Sequence, residues 1–227
     1  MARTDSVIVT GGASGLGRAV AGALQAHGWR PVVLDRADVQ GFEHEIVDLS
    51  DRRQAEVVVR RVAETHRGLR AVVTCAGVDA CGPLRDVPPA DWEQVVLVNL
   101  LGTAAVARAA LPYLEASAGR LVTVASTLGL RALPDATAYC ASKFGVVGFT
   151  RALAAELAGR VGVTLLLPGG MDTAFFSGRG EQYRPGPDAQ LNRPEDVAEA
   201  VVFALTVPPS CEVRELVVTP SREASWP

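Results

Sequence analysis

Val7-Ile8-Val9-Thr10-Gly11-Gly12-Ala13-Ser14-Gly15-Leu16-Gly17 is the stretch on which the fold turns. Its β-branched apolar start reads as a short buried strand, and the glycines after it permit a tight bend and a close backbone approach. The alanine-rich residues that follow, up to Gly28, read as a helix. Strand, glycine turn and helix in that order aim backbone N–H groups at a helix N-terminus, where a pyrophosphate can sit. Gly11, Ser14, Gly15, Leu16 and Gly17 are therefore the first candidates for holding a dinucleotide, although a glycine pattern alone also occurs in structural turns.

Residues 31–34 give a second apolar strand that closes on Asp35. At about twenty residues beyond the turn, a carboxylate accepts hydrogen bonds from adenosine ribose hydroxyls and repels a 2′-phosphate. This favours NAD over NADP, while Arg36 next to it could stack on adenine or meet a phosphate. Residues 45–47 give a third strand ending on Asp48. Only about ten residues separate these two strands, fewer than a helical crossover needs, so the second helix is expected to be absent or reduced to a turn.

Further along, the pattern predicts a helix over 50–67, a strand over 71–74 and a long helix over 90–114 entered through Asp91 as its cap. A strand over 121–125 and a helix over 136–158 come next, then a strand over 162–167 and a Gly- and Pro-rich loop over 168–192. A helix over 194–206 and a strand over 215–218 complete the series, and the tail 221–227 is expected to be loose. The alternation predicts an α/β chain: a doubly wound (Rossmann-like), mostly parallel sheet of about seven strands with helices on both faces, binding ligands at the carboxyl ends of its strands. At 227 residues it is expected to form a single domain over 1–227.

Composition excludes several classes. Net charge is −3 with both signs interspersed, which offers no basic face for nucleic acid. Apolar residues, 48% of the chain, fall in blocks broken by Gly and Pro, and no membrane span is expected. The first residues run directly into a strand without the zones of a signal peptide. Cys75, Cys81, Cys140 and Cys211 lack CxxC spacing and lie far from paired histidines, so neither a metal site nor a disulfide frame is expected and a cytoplasmic location fits.

Of the 22 positive side chains only Lys143 is a lysine, and it stands four residues after Tyr139. On a helix that spacing puts both side chains on one face, where an ammonium favours the phenolate. A guanidinium could not give up a proton there. By itself the pair could equally be an ordinary Tyr and Lys on an exposed turn.

With Thr-Gly-x-x-x-Gly-x-Gly at 10–17, Ser126 thirteen residues before Tyr139, and Tyr-x-x-x-Lys at 139–143, the chain resembles the short-chain dehydrogenase/reductase family over nearly its whole length. Asp48, Ala76-Gly77, Asn99, and Pro168-Gly169 followed by Thr173 agree in order. The resemblance implies a nicotinamide-dependent oxidoreductase acting on a small-molecule secondary alcohol or ketone. It implies that Ser126 hydrogen-bonds the substrate oxygen, Tyr139 exchanges the proton, Lys143 lowers the phenol pKa and holds the nicotinamide ribose, and Asn99 anchors a relay water. It places Ser14 and Leu16 at the pyrophosphate, Asp35 at the adenosine ribose, Asp48 and Leu49 around adenine, and Met171 with Thr173 at the carboxamide. Asp48 alone could instead cap the following helix. Relatives pair through the two long helices, so a homodimer or homotetramer is expected.

Three departures stand out. Thr74-Cys75 replaces two amides that usually precede Ala-Gly, Thr164 replaces an asparagine, and the chain ends VTPSREASWP instead of in a glycine-rich close. The segment 172–192 is expected to form a lid over the substrate, carrying Phe175, Phe176, Tyr183, Arg179 and Arg184. Its aromatics suit a ring or alicyclic face, and its arginines could meet a carboxylate or phosphate. An NADP-linked ketoreductase and a catalytically silent dinucleotide sensor are the alternative functions.

Overall fold

The protein is described by a computed structural model covering residues 5–223 and 225. Seven strands form one sheet in the order β3-β2-β1-β4-β5-β6-β7, every neighbouring pair parallel. They are β1 (Ser6–Thr10), β2 (Arg30–Asp35), β3 (Glu43–Ile46), β4 (Ala71–Thr74), β5 (Arg120–Val124), β6 (Gly162–Pro168) and β7 (Glu215–Val218). The helices are α1 (Gly15–Ala26), α2 (Arg52–Thr65), α3 (Pro89–Val96), α4 (Thr103–Ser117), α5 (Thr137–Glu156) and α6 (Pro194–Thr206).

Alternate residues of the central strands feed two cores, as a strand's period of two requires. Ile8, Val72, Leu121 and Val163 pack with α2, α4 and α5, whereas Val7, Val9, Val73 and Val122 pack with α1 and α6. The doubly wound expectation is met. β1 lies between β2 and β4, so the chain winds away from it in both directions and opens a crevice at the carboxyl edge of the sheet.

The crossover between β2 and β3 carries no helix, as its length demanded. A charged strand, Glu-His-Glu-Ile, makes the sheet edge there, and its polar side chains guard it against pairing with other chains.

The long helix differs from expectation in three ways. It is entered through Pro88, with Pro89 in its first turn and Asp91 inside that turn, so Asp91 does not cap it. Proline suits the first helical position because its missing N–H has no partner there anyway. Next, a π-helical stretch, Leu97–Gly102, interrupts the run between α3 and α4. Gly102 lies in this stretch, and a Cβ on it would come within 2.9 Å of the Leu49 carbonyl oxygen. Finally, Pro89–Ser117 as a whole, with mean hydropathy 1.7 over its most apolar window, is long and apolar enough by composition to cross a bilayer. The expectation that no apolar block reaches that length is corrected. Half of that window is buried within the protein, where it belongs to the core.

Candidate active site

The turn after β1 is shaped by close contacts. Gly11 has φ +71°, and a Cβ on it would lie 2.7 Å from the Ala76 Cα. A Cβ on Gly17 would lie 2.2 Å from the Gly11 carbonyl oxygen, so α1 can start directly against the turn only with glycine at 17. Ser14, the N-cap of α1, makes no side-chain hydrogen bond to the helix, which leaves the first-turn N–H groups open to an anion. The Ala13 N–H donates to Asp35 Oδ2 at 2.9 Å and the Ala37 N–H to Asp35 Oδ1 at 3.1 Å, fixing this carboxylate beside the turn.

A cleft of about 720 Å³ runs along the carboxyl edge of the sheet. This lies within the ordinary range of about 300–1,000 Å³ for small-molecule sites. Gly11, Ser14, Gly15, Leu16, Gly17, Asp35, Arg36, Asp48 and Leu49 line one end. Ala76, Gly77, Pro168, Gly169, Met171 and Thr173 also line it, and Ser126, Tyr139 and Lys143 lie toward its β5 side. A glycine turn, an uncapped helix start and a ribose-side carboxylate along one trough fit a nicotinamide dinucleotide. Asp48 is exposed and does not cap α2; that cap is Asp51, which accepts from the Gln54 N–H.

Asn99 alone of the predicted set lies off the cleft wall. The π-helical stretch turns it inward, where it is 1% exposed. Its Oδ1 accepts from the Val78 N–H at 2.8 Å, and its Nδ2 donates to the Val78 carbonyl at 2.9 Å and to Ser142 Oγ at 3.0 Å. Ser142 Oγ in turn donates to the Tyr139 carbonyl at 2.8 Å. The amide thus ties the loop after β4 to the backbone of the helix that carries Tyr139.

Ser126 caps a 3-10 turn, Thr127–Gly129, through the Leu128 N–H. Lys143 is buried, donates to the Val124 carbonyl at 2.9 Å, and places Nζ 5.6 Å from the centre of the Tyr139 ring. Burial draws the ammonium down to about 8 from an ordinary 10.5. Burial also raises the Tyr139 phenol above its ordinary value, against which the Ser126 hydroxyl and the Arg179 guanidinium act. The expected lowering of the phenol by Lys143 is not found: burial dominates, and the groups acting against it are Ser126 and Arg179. The Cys75 thiol beside Lys143 is pushed up to about 12 by burial and stays a neutral wall residue.

Several contacts carried no signal in the sequence. Asp79 accepts from Arg179 Nη2 at 2.6 Å, joining the loop after β4 to the segment 172–192. Glu223 Oε2 accepts from the Gly170 N–H at 2.8 Å, and Ser225 Oγ lies 2.6 Å from Thr127 Oγ1. These described parts of the tail are tied into the cleft rim, not loose; Ala224, Trp226 and Pro227 lie outside the described residues. The departures in the strands also resolve. Thr164 Oγ1 donates to the Val213 carbonyl at 2.6 Å, whereas Thr74 Oγ1 is buried without a hydrogen-bond partner among the described residues.

Comparison with known proteins agrees with this geometry. The short chain dehydrogenase family profile matches residues 5–184. An uncharacterised oxidoreductase of Staphylococcus aureus is 33% identical over 231 residues, covering 96% of this chain and 98% of that protein. A 2-(S)-hydroxypropyl-CoM dehydrogenase of Xanthobacter autotrophicus is 30% identical over 236 residues, covering 90% of each. Among solved structures, the ligand-free aldohexose dehydrogenase of Thermoplasma acidophilum superposes with a TM-score of 0.86 at 23% identity, over 96% of this chain and 93% of that one. The chain therefore belongs to the short-chain dehydrogenase family, nicotinamide-dependent oxidoreductases that act on alcohol and carbonyl groups.

Proposed function

We propose that this chain interconverts a secondary alcohol and its ketone with NAD as cofactor, Tyr139 carrying the proton. The observation that carries this reading is the convergence of Ser126, Tyr139 and Lys143 at one end of a cleft whose other end holds the glycine turn and Asp35. When bound, the dinucleotide supplies the hydride chemistry that no side chain offers. Each Asp35 oxygen takes one backbone N–H and keeps a lone pair for a ribose hydroxyl. A 2′-phosphate would meet that negative charge. Arg36 on the same rim supports the second reading, an NADP-linked ketoreductase.

At the reacting end, the Ser126 hydroxyl donates to the substrate oxygen while the Tyr139 phenol gives or takes its proton. Lys143 spends one proton on the Val124 carbonyl and has others to offer the nicotinamide ribose and the phenol. Asn99 acts as a positioning residue, holding Val78 and, through Ser142, the Tyr139 backbone. Leu128, Leu133, Phe175 and Phe176 line the substrate side. Arg184 donates to the Ser177 and Arg179 carbonyls, whereas Arg179 meets Asp79 through Nη2 and keeps a buried Nε with no hydrogen-bond partner among the described residues. Self-association through α4 and α5 belongs to the same proposal, with Phe144 on α5 45% exposed.

The test is a turnover screen of secondary alcohols with NAD⁺ and of ketones with NADH, run alongside Tyr139→Phe. The variant is expected to bind NADH normally and to lose about 10²–10⁴ in kcat, the usual worth of a positioned acid–base group. Undiminished turnover in Tyr139→Phe would end the assignment.

A further inference from the structure

Arg179 sits at the head of a stack that ends on the reacting phenol. Its guanidinium carbon lies 4.8 Å from the centre of the Phe175 ring and 4.6 Å from that of Phe176. The Phe175 ring in turn lies 5.7 Å from the Tyr139 ring. On its other side the guanidinium meets Asp79, whose side chain is 6% exposed. The Ala80 N–H donates to Asp79 Oδ1 at 2.7 Å, and the Cys81 thiol, itself pushed up to about 12 chiefly by burial, donates to Oδ2 at 3.0 Å. Asp79 follows Val78, which the Asn99 amide clamps on both backbone groups. A buried carboxylate beside an acid–base group is costly and would work against a phenolate. Here a cation from a different segment answers it.

We propose that Asp79 and Arg179 are positioning residues for the reaction: as a pair they hold the Phe175 ring against Tyr139 and keep the charge beside the phenol balanced. This rests on Tyr139 being the acid–base group. The charged and polar groups that face the phenol come from four elements. Asp79 stands in the loop after β4, Arg179 in the segment 172–192, Lys143 and Cys140 on α5 itself, and the neutral Ser126 hydroxyl after β5. Asp135 and Tyr183, joined by a 3.2 Å hydrogen bond, flank Cys81 one step further out. Of the Asp79–Arg179 pair, the carboxylate raises the Tyr139 phenol and the guanidinium lowers it, so removing one partner should move the phenol one way and removing the other should reverse it. A purely mechanical tie between two segments gives no such sign change.

The experiment needs no substrate. The full chain is labelled with 3,5-difluorotyrosine, whose fluorines make the phenol more acidic, and its ¹⁹F resonances are followed against pH. There are three tyrosines, Tyr113, Tyr139 and Tyr183, so Tyr139→Phe and Tyr183→Phe assign the signals. Arg179→Met should raise the Tyr139 midpoint by about 0.5–1 pH unit and Asp79→Asn should lower it by a similar amount, the size expected of one charge at an effective dielectric near 20. The double variant and Arg179→Lys should both return to the wild-type midpoint. Where a midpoint lies above the pH at which Tyr113 keeps its native signal, the ionised fraction at that pH is compared instead. Equal titrations in both single variants, or shifts of the same sign, would overturn the proposal; Arg179→Lys keeps the test open should Arg179→Met not fold. Failure of the underlying reading looks different, since turnover retained in Tyr139→Phe sinks the acid–base assignment whatever the resonances do.

Discussion

Lys143 carries opposing demands. Its ammonium is buried and drawn down to about 8, yet a cofactor-handling role needs a donor at that point. A lysine whose folded-state pKa lies below its unfolded value binds fewer protons when folded, so wild-type stability rises as pH climbs from about 8 toward 10.5. At neutral pH the folded state therefore bears a penalty that Lys143→Met removes, less the hydrogen bond to the Val124 carbonyl. We expect Lys143→Met to be about 1–2 kcal/mol more stable near pH 7. That lead should vanish as pH approaches 10.5. Denaturant unfolding across this range checks it, and a lead that grew with pH would contradict the assigned direction. Stability given up at one residue is a common mark of function. The single lysine was visible in the composition, but its depressed pKa was not, because burial is a property of the packed fold.

At the scale of elements, the strand, turn and helix at the start of the chain depend on glycine at one contact. The Gly17 site has a carbonyl oxygen 2.2 Å from where a Cβ would stand. Gly17→Ala must push α1 away from the turn, and we expect a loss of about 1–3 kcal/mol in stability together with weakened NADH binding. Thermal unfolding and fluorescence titration would show the two losses together; native stability with native affinity would mean the turn is looser than described. This element was legible because strand period, glycine spacing and helix pattern all agree. The break at Leu97–Gly102 was not, since a π-helical stretch keeps the same apolar pattern as the α-helix around it, and its contacts, Gly102 against Leu49 and Asn99 with the loop after β4, are long-range. Asn99 was named from its place in a motif, yet only that break explains how it reaches Val78 and Ser142 at once. The joined tail and the Asp79–Arg179 tie escaped notice for a related reason. In every one of them the partners lie more than 50 residues apart, and Asp79 with Arg179 spans the distance between the fourth strand and the loop after the sixth.

For the whole molecule, a parallel sheet wound in two directions from β1 gathers every strand's carboxyl end on one edge, and the chemistry follows from that placement. The glycine turn and Asp35 come from the first half of the chain and Ser126, Tyr139 and Lys143 from the second, and all of them line a single trough. The proposed preference for NAD, with Asp35 as its selector, is tested by titrating the purified protein with NADH and separately with NADPH, read by quenching of tryptophan emission and energy transfer to the reduced nicotinamide. NADH should bind at least about tenfold more tightly, a difference of about 1.4 kcal/mol, and Asp35→Ser should erase most of that preference. Tighter binding of NADPH, or an unchanged preference in Asp35→Ser, would overturn the Asp35 assignment and shift cofactor choice to Arg36.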